Sequence, residues 1–373
     1  MHLTKITGIA GSENHLLMLL GGLRQRGVDA RFLLLVEPGN PVDDFVAAAA
    51  ARDIPAERLR IYHHADLTLY PRLWWRLRAL RPDIVHTHLQ HADLYGIPAA
   101  RLARVRAVVT SRHNDDPRRR HPLLRRLNRA LWHMVDAGVA ISDAIARFSV
   151  EVEGAPAARL TTIHYGLERI PERLERAAAR EKLCQELGLG GDPLLVGVVA
   201  RLIPAKGISY GIRAFARQAG RFPGARLLVV GDGPLRTDLE AGAAALGLGR
   251  RVRFLGWRAD ASQIMAALDL LLMPSLREGF GLALLEAMAC AVPVVASAVS
   301  AIPEVVVHGE TGLLCPPRDV EAFSQALGAL LSDADLRARM GAAGRARLLA
   351  HFQAGHMVEQ TLALYQRLCP PHL

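Results

Sequence analysis

Short apolar runs that end near a glycine or a histidine, then give way to helical periodicity, recur along this chain and leave few folds open. Residues 4–9 form the first run, closing at Gly8 and Gly11. A helical pattern follows from near Ser12 to about Arg26, with Leu16, Leu19, Leu20 and Leu23 on one face and Gly27 ending it. Ala30–Val36, Asp83–His88, Arg106–Ser111, Ala137–Ile141 and Leu160–His164 repeat the strand signal, and Ser142 stands where it caps the next helix. Strands alternating with helices predict a parallel, doubly wound sheet.

The pattern starts twice. From Pro171 the chain reads as a polar, charged helix (ERLERAAAREKLCQEL) that closes at Gly188–Pro193, and a fresh strand begins at Leu194–Ala200. Ala225–Val230, a short strand from Val252, Leu270–Pro274 and Pro293–Ala296 follow. A chain of 373 residues exceeds one ordinary core, so two domains are expected. Their bounds are 1–168 for the first and 193–354 for the second. Residues 169–192 join them, and 355–373 form a last helix. Gly231-Asp-Gly233 resembles a dinucleotide fingerprint but lacks its third glycine, since position 236 is Arg.

The chemistry concentrates between Ser275 and Ala291 (SLREGFGLALLEAMACA). Glu278 falls in a turn after a strand, with Gly279 and Gly281 behind it. Glu286 lies one to one and a half turns into the helix that begins at Leu282. Glycines let backbone approach a ligand, and the first N–H groups of a helix are unpaired, which makes an anion site suited to a diphosphate. A carboxylate further along that helix is placed to accept hydrogen bonds from ribose hydroxyls. Arg201 and Lys206 follow the first strand of this half on a glycine-bearing loop. A guanidinium grips phosphate as a fork and an ammonium as a point charge.

Glu278-Gly-Phe-Gly-Leu…Glu286 followed by Pro293-Val-Val-Ala-Ser resembles the Glu-x7-Glu donor motif of family 4 retaining glycosyltransferases. The resemblance covers nearly the whole chain and is most specific in its C-terminal half. It implies a GT-B fold of two Rossmann-like domains facing across a cleft, with the C-terminal helix crossing back to the first. It implies a nucleotide-diphosphate sugar as donor, UDP- or GDP-linked, and retention at the anomeric carbon. Glu278, Gly279, Phe280, Gly281 and Leu282 would then hold the sugar and phosphate, and Arg201 and Lys206 the leaving diphosphate. Glu286 would hold the ribose, with Trp257 and Arg258 near the base. Val109-Thr110-Ser111-Arg112-His113 is similar to the family's V-x-T-x-H segment, making His113 a sugar contact near the reacting carbon. Gly11 joins the donor candidates, and His88, in an H-x-H pattern, is placed on the acceptor side. One departure stands out: Ser300 and Ala301 occupy positions where the family commonly has two glycines before Ile-Pro-Glu. Asp333 and Asp335 read as helix caps, and no catalytic metal is expected.

The net charge of +10 is uneven: Arg101–Ala130 holds ten arginines against two aspartates. From Pro122 this window reads as a helix with leucines on one side and arginines on the other. It is either a core-packed helix with a solvated face or an interfacial helix for anionic lipid, with Arg118, Arg119, Arg120, Arg125, Arg126 and Arg129 at the surface. Nucleic acid is not expected as a partner; a lipid-linked or saccharide acceptor is. Four scattered cysteines, without a C-x-x-C pair, suit a reducing cytoplasm. No signal peptide or spanning segment is expected, so any membrane contact would be peripheral. The competing classes are a catalytically idle scaffold that binds anionic membrane or nucleic acid, and a phosphorylase or epimerase on the same architecture.

Overall fold

The computed structural model describes residues 1–6, 8, 11–63, 65–168 and 173–370. The chain divides into two compact units, Met1–Glu168 with Gln353–Leu373, and Arg169–Phe352. The first unit carries β1 (His2–Lys5), β2 (Phe32–Val36), β3 (Ala56–Arg60), β4 (Ile84–His88), β5 (Ala107–Arg112), β6 (Ala137–Ala140) and β7 (Leu160–Thr162). These form one sheet in the order β3-β2-β1-β4-β5-β6-β7, every neighbouring pair parallel. The second unit carries β8 (Leu195–Val199), β9 (Arg226–Val230), β10 (Val252–Gly256), β11 (Leu270–Met273), β12 (Val294–Ser297) and β13 (Gly312–Cys315). Its order is β10-β9-β8-β11-β12-β13, again all parallel.

Both sheets therefore reverse strand order once, at β1/β4 and at β8/β11. In open α/β sheets the loops leaving the carboxyl ends at such a reversal splay apart and leave a crevice for a ligand. Helices cover both faces, so the strands are near-continuous apolar runs such as FLLLV in β2, buried along its length. One face of the first sheet is covered by the helices Gly11–Gln25, Asp43–Ala50 and Ala354–Leu368. The other is covered by Leu69–Leu80, Leu89–Leu102 and Pro122–His133. The last helix thus belongs to the first unit.

The structure departs from the sequence reading in two places and adds a packing contact in a third. β1 stops at Lys5 rather than running to residue 9, and residues 7, 9 and 10 of the loop after it lie outside the described residues. β3 was not expected: AERLR has no apolar run, because it is an edge strand with only one neighbour. The stretch read as a linker holds the helix Arg173–Leu187, which packs on the second unit. Its Arg180 donates to the Ala267 carbonyl at 2.9 Å and to Asp269 at 3.1 Å. Pro171, expected to open that helix, lies outside the described residues. No helix among the described residues is long and apolar enough to cross a membrane.

Candidate active site

In the second unit the loops leaving β8 and β11 are latched together. Leu276 N–H donates to the Ala205 carbonyl at 2.8 Å. Gly207 sits beneath the same junction with φ +58; a Cβ there would lie 2.2 Å from the Pro274 carbonyl oxygen, so only glycine fits. The latch brings together two residues distant in sequence: Lys206 Nζ donates to Glu278 Oε2 at 2.5 Å, and Ser275 Oγ adds a longer bond of 3.3 Å to the same oxygen. Both charged side chains are mostly withdrawn from solvent. Gly281 precedes the helix Leu282–Ala289 at φ +90, a left-handed turn that lets Gly279–Gly281 wrap the helix start.

Glu286, on the second turn of that helix, is half-buried with no ion pair among the described residues, and burial pushes its carboxyl up to about 7. Arg201 is exposed at the start of the β8 loop. The expected diphosphate and ribose residues Arg201, Lys206, Glu278, Gly279, Gly281, Leu282 and Glu286 therefore all stand on the two loops, or the first helix turns, at the β8/β11 reversal. The Phe280 ring is buried, edge-on to Phe352, so the expected contact falls to its backbone amide rather than its side chain. Trp257 is 72% exposed. Arg258, near the base by the resemblance, has its guanidinium fork matched by the carboxylates of Asp260 and Glu186, which leaves its backbone for such a contact. Ser300 adopts φ +48, so the serine takes the left-handed conformation a glycine would favour. The next amide, of Ala301, donates to the Glu278 carbonyl at 3.4 Å. Asp333 caps the helix Ala334–His351 through the Leu336 amide, as its spacing predicts.

In the first unit the histidines gather under the carboxyl edge of the sheet. His113 directly follows β5, and both its ring nitrogens are engaged, Nδ1 with Tyr165 Oη at 2.5 Å and Nε2 with His88 Nδ1 at 3.1 Å. Burial, then the nearby charges of Arg112 and Arg119, lower its pKa to about 3, so the ring is neutral. His88 is wholly buried and bonds His2 with its other nitrogen at 2.9 Å. The acceptor-side role read for His88 finds no support in this position, since the ring is completely enclosed. His15 was passed over in the sequence. It is buried, stacked on Tyr165 at 3.9 Å, and its Nδ1 has no hydrogen-bond partner. Gly11 is exposed at the first position of the helix Gly11–Gln25.

The arginine window also divides. Arg118, Arg120, Arg125, Arg126 and Arg129 are exposed. Arg119 is not: it is 4% exposed and donates to Glu153 Oε1 at 2.7 Å, so it cannot face a membrane. Glu153 Oε2 accepts from Arg112 Nε at 2.6 Å, and Arg112 in turn meets Asp93. Asp93 also accepts from Thr87 and Thr110 at 2.5 and 2.6 Å. Burial alone would raise the Glu153 carboxyl, but Arg112 and Arg119 hold it below its ordinary value. This buried network clamps the end of β5, where His113 begins.

Comparison with known proteins places these features in one class. The solved structure of Anabaena HepE in complex with UDP and glucose matches with a TM-score of 0.85 at 25% identity, over 98% of this chain and 100% of that one. A sucrose-phosphate synthase from Thermosynechococcus elongatus matches at TM-score 0.80 and 22% identity, over 98% of each chain, which speaks for the fold alone. The fold is that of the two-domain α/β GT-B glycosyltransferases. The family model "Glycosyltransferase Family 4" matches residues 9–169, and "Glycosyl transferases group 1" matches residues 179–347. N-acetyl-alpha-D-glucosaminyl L-malate synthase of Bacillus anthracis is 30% identical over 308 residues, 82% of this chain and 80% of that protein. D-inositol 3-phosphate glycosyltransferase of Mycobacteroides abscessus is 33% identical over 267 residues, spanning 67% of this chain and 58% of its own length. The chain belongs to the family 4 glycosyltransferases.

Proposed function

We propose that this glycosyltransferase moves a sugar from a nucleoside-diphosphate sugar, most simply a UDP-sugar, to an acceptor hydroxyl with retention of anomeric configuration. The observation that carries the donor half is the Lys206–Glu278 pair beside the start of the helix Leu282–Ala289, at the strand-order reversal. An incoming diphosphate offers Lys206 a second anionic partner. Arg201 and the amides at the helix start add positive charge, so the leaving group is stabilised as the glycosidic bond breaks, the largest contribution in such chemistry. Glu286 receives the ribose hydroxyls. Glu278, released from part of its pairing, orients the sugar; a contact from His113 would require one of its ring nitrogens to exchange its present partner for a sugar hydroxyl. The Anabaena protein's complex with UDP and glucose supports uracil as the base. No step in this scheme calls for a metal ion.

For the acceptor, the relatives' names point to small anionic hydroxy compounds, L-malate in one and D-inositol 3-phosphate in the other. A second reading rests on the exposed Leu123, 67% accessible, among Arg118, Arg120, Arg125, Arg126 and Arg129. Exposed arginines and an exposed leucine on one helix and the turn before it suit a surface of anionic lipid and hence a lipid-linked acceptor. Incubation with UDP-, GDP- and ADP-sugars and both acceptor classes, with the product anomer read by NMR, tests the scheme. One transferred sugar of unchanged configuration is the expected result; inversion, or donor hydrolysis without transfer, would overturn it.

A further inference from the structure

Four imidazoles, two phenols and a serine in the first unit form a continuous hydrogen-bond chain. It leaves β5 at Ser111, whose Oγ meets His86 Nε2 at 2.7 Å. His86 Nδ1 meets Tyr365 Oη at 2.6 Å, and Tyr365 Oη meets His2 Nε2 at 3.1 Å. His2 Nδ1 meets His88 Nε2 at 2.9 Å, and His88 Nδ1 meets His113 Nε2 at 3.1 Å. The chain ends two residues from where it began, with His113 Nδ1 on Tyr165 Oη at 2.5 Å. His2 comes from β1, His86 and His88 from β4, and Tyr365 from the last helix, Ala354–Leu368. In the sheet His2 is directly opposite His86, which is why the rings meet.

The hydrogens can be counted. A neutral imidazole has one N–H and one bare nitrogen, and each hydroxyl has one hydrogen. The four rings and three hydroxyls thus bring seven hydrogens to the six links just described. With the Tyr365 hydrogen used inside the chain, every link is satisfied in only two ways; letting Tyr365 accept from both His86 and His2 would strand that buried hydrogen. Either Tyr165 donates to His113 and every bond points toward Ser111, or Ser111 donates to His86 and every bond points toward Tyr165. A ring in the wrong tautomer leaves one link with two hydrogens and another with none, a buried fault that costs about 1–3 kcal/mol per unsatisfied group. Burial holds the histidines neutral and both phenols protonated, so no charged state relaxes the rule. The tautomer of His113 is therefore not a local choice.

We infer that Tyr365, His2 and His88 are positioning residues for His113: together they fix its tautomer and ring orientation, and they tie that choice to the docking of the last helix. The consequence for turnover rests on the proposed role of His113 at the donor sugar; the coupling itself does not. The same three rings His2, His86 and His88 have nitrogens spaced closely enough for a metal ion. Each of those nitrogens already has the partner named above, so an ion would have to break the chain.

Histidine 15N shifts distinguish the two tautomers. In the full-length protein labelled at histidine, each of His2, His86, His88 and His113 is expected to show one tautomer. Tyr365→Phe keeps the ring and removes two links. It should give mixed tautomers at His2, His88 and His113, with kcat lowered by at least about twofold, the loss if half the molecules carry the other form, and UDP affinity unchanged. Ser111→Ala, which removes only the terminal link, should shift the His113 tautomer population in a protein with less risk of misfolding. Mixed tautomers in the wild type, an unchanged His113 in both folded variants, or a stoichiometric metal ion in the purified protein would overturn the inference. His113→Ala with unaltered kcat would instead remove the role proposed for His113 in transfer and leave the tautomer coupling standing.

Discussion

Lys206 Nζ lies 2.5 Å from Glu278 Oε2, joining a loop that leaves β8 to one that leaves β11. Each residue is the other's counter-charge. In the proposed donor role the pair poises an ammonium for a diphosphate, and the two partners are expected to have opposite effects on binding.

Lys206→Ala should weaken UDP about 10- to 100-fold, the loss of a charge-assisted bond of about 1.5–3 kcal/mol. Glu278→Gln should leave UDP affinity unchanged or raise it, because a negative charge near the diphosphate disappears, while sugar transfer falls. Calorimetric titration of both variants checks this; equal losses would contradict the assignment.

Glu286 titrates near 7 because burial disfavours its charged form. Its folded pKa is raised above the ordinary 4.5, so the cost of ionising it is absent below that value, grows as pH rises from there to about 7 and is constant above. Glu286→Gln should therefore stabilise the second unit at pH 8 and leave it nearly unaltered at pH 4. Ribose hydroxyls favour the carboxylate, so wild-type UDP affinity should increase from pH 6 to pH 8 more steeply than that of Glu286→Gln. The nucleotide's own phosphate ionisation is common to both proteins and cancels in the comparison.

Five buried histidines, His2, His15, His86, His88 and His113, have folded pKa values depressed chiefly by burial. The unfolded chain takes up these protons first, near pH 6.5. Stability is therefore full above that value and is lost as pH falls below it, toward about 3 for His113. Each histidine contributes a slope on the order of 1 kcal/mol per pH unit in that window. Urea unfolding of the first unit between pH 7 and 5 should show a multi-proton dependence; a flat profile would rule out neutral burial of the cluster.

Glu153→Gln should cost about 3–5 kcal/mol, because Arg112 and Arg119 stay buried without their counter-charge. Arg118→Ala and Arg120→Ala should change stability by no more than about 0.5 kcal/mol, as exposed substitutions do. Denaturant midpoints separate the two groups. The same two exposed variants should lower binding to anionic vesicles if the arginine face docks on lipid, and leave it unchanged if that face is merely solvated.

The two loops at the β8/β11 reversal were legible in the sequence because their signals are local. Glycines, the Glu278–Glu286 spacing and a strand before each loop all lie within a few residues. The edge strand Ala56–Arg60 was not legible: with one neighbour it needs no apolar run. Arg119 and Arg118 are adjacent and identical in type, yet only Arg119 is buried, and the difference lies in Glu153, more than thirty residues away. The histidine chain shows the same limit. The H-x-H in β4 was visible, but its meaning depends on β1 register and on Tyr365, over 270 residues beyond His86. Sequence spacing reveals what one segment offers, whereas pairings across the sheet need the fold.

The most direct test of the donor site is a calorimetric titration of UDP into the wild type and Glu286→Ala, each shown to be folded. The account predicts one UDP per wild-type chain and a roughly tenfold or greater weakening in the variant, in line with losing hydrogen bonds to a charged group. A folded wild type that binds no nucleoside diphosphate, or a variant that binds UDP as tightly as wild type, would contradict it.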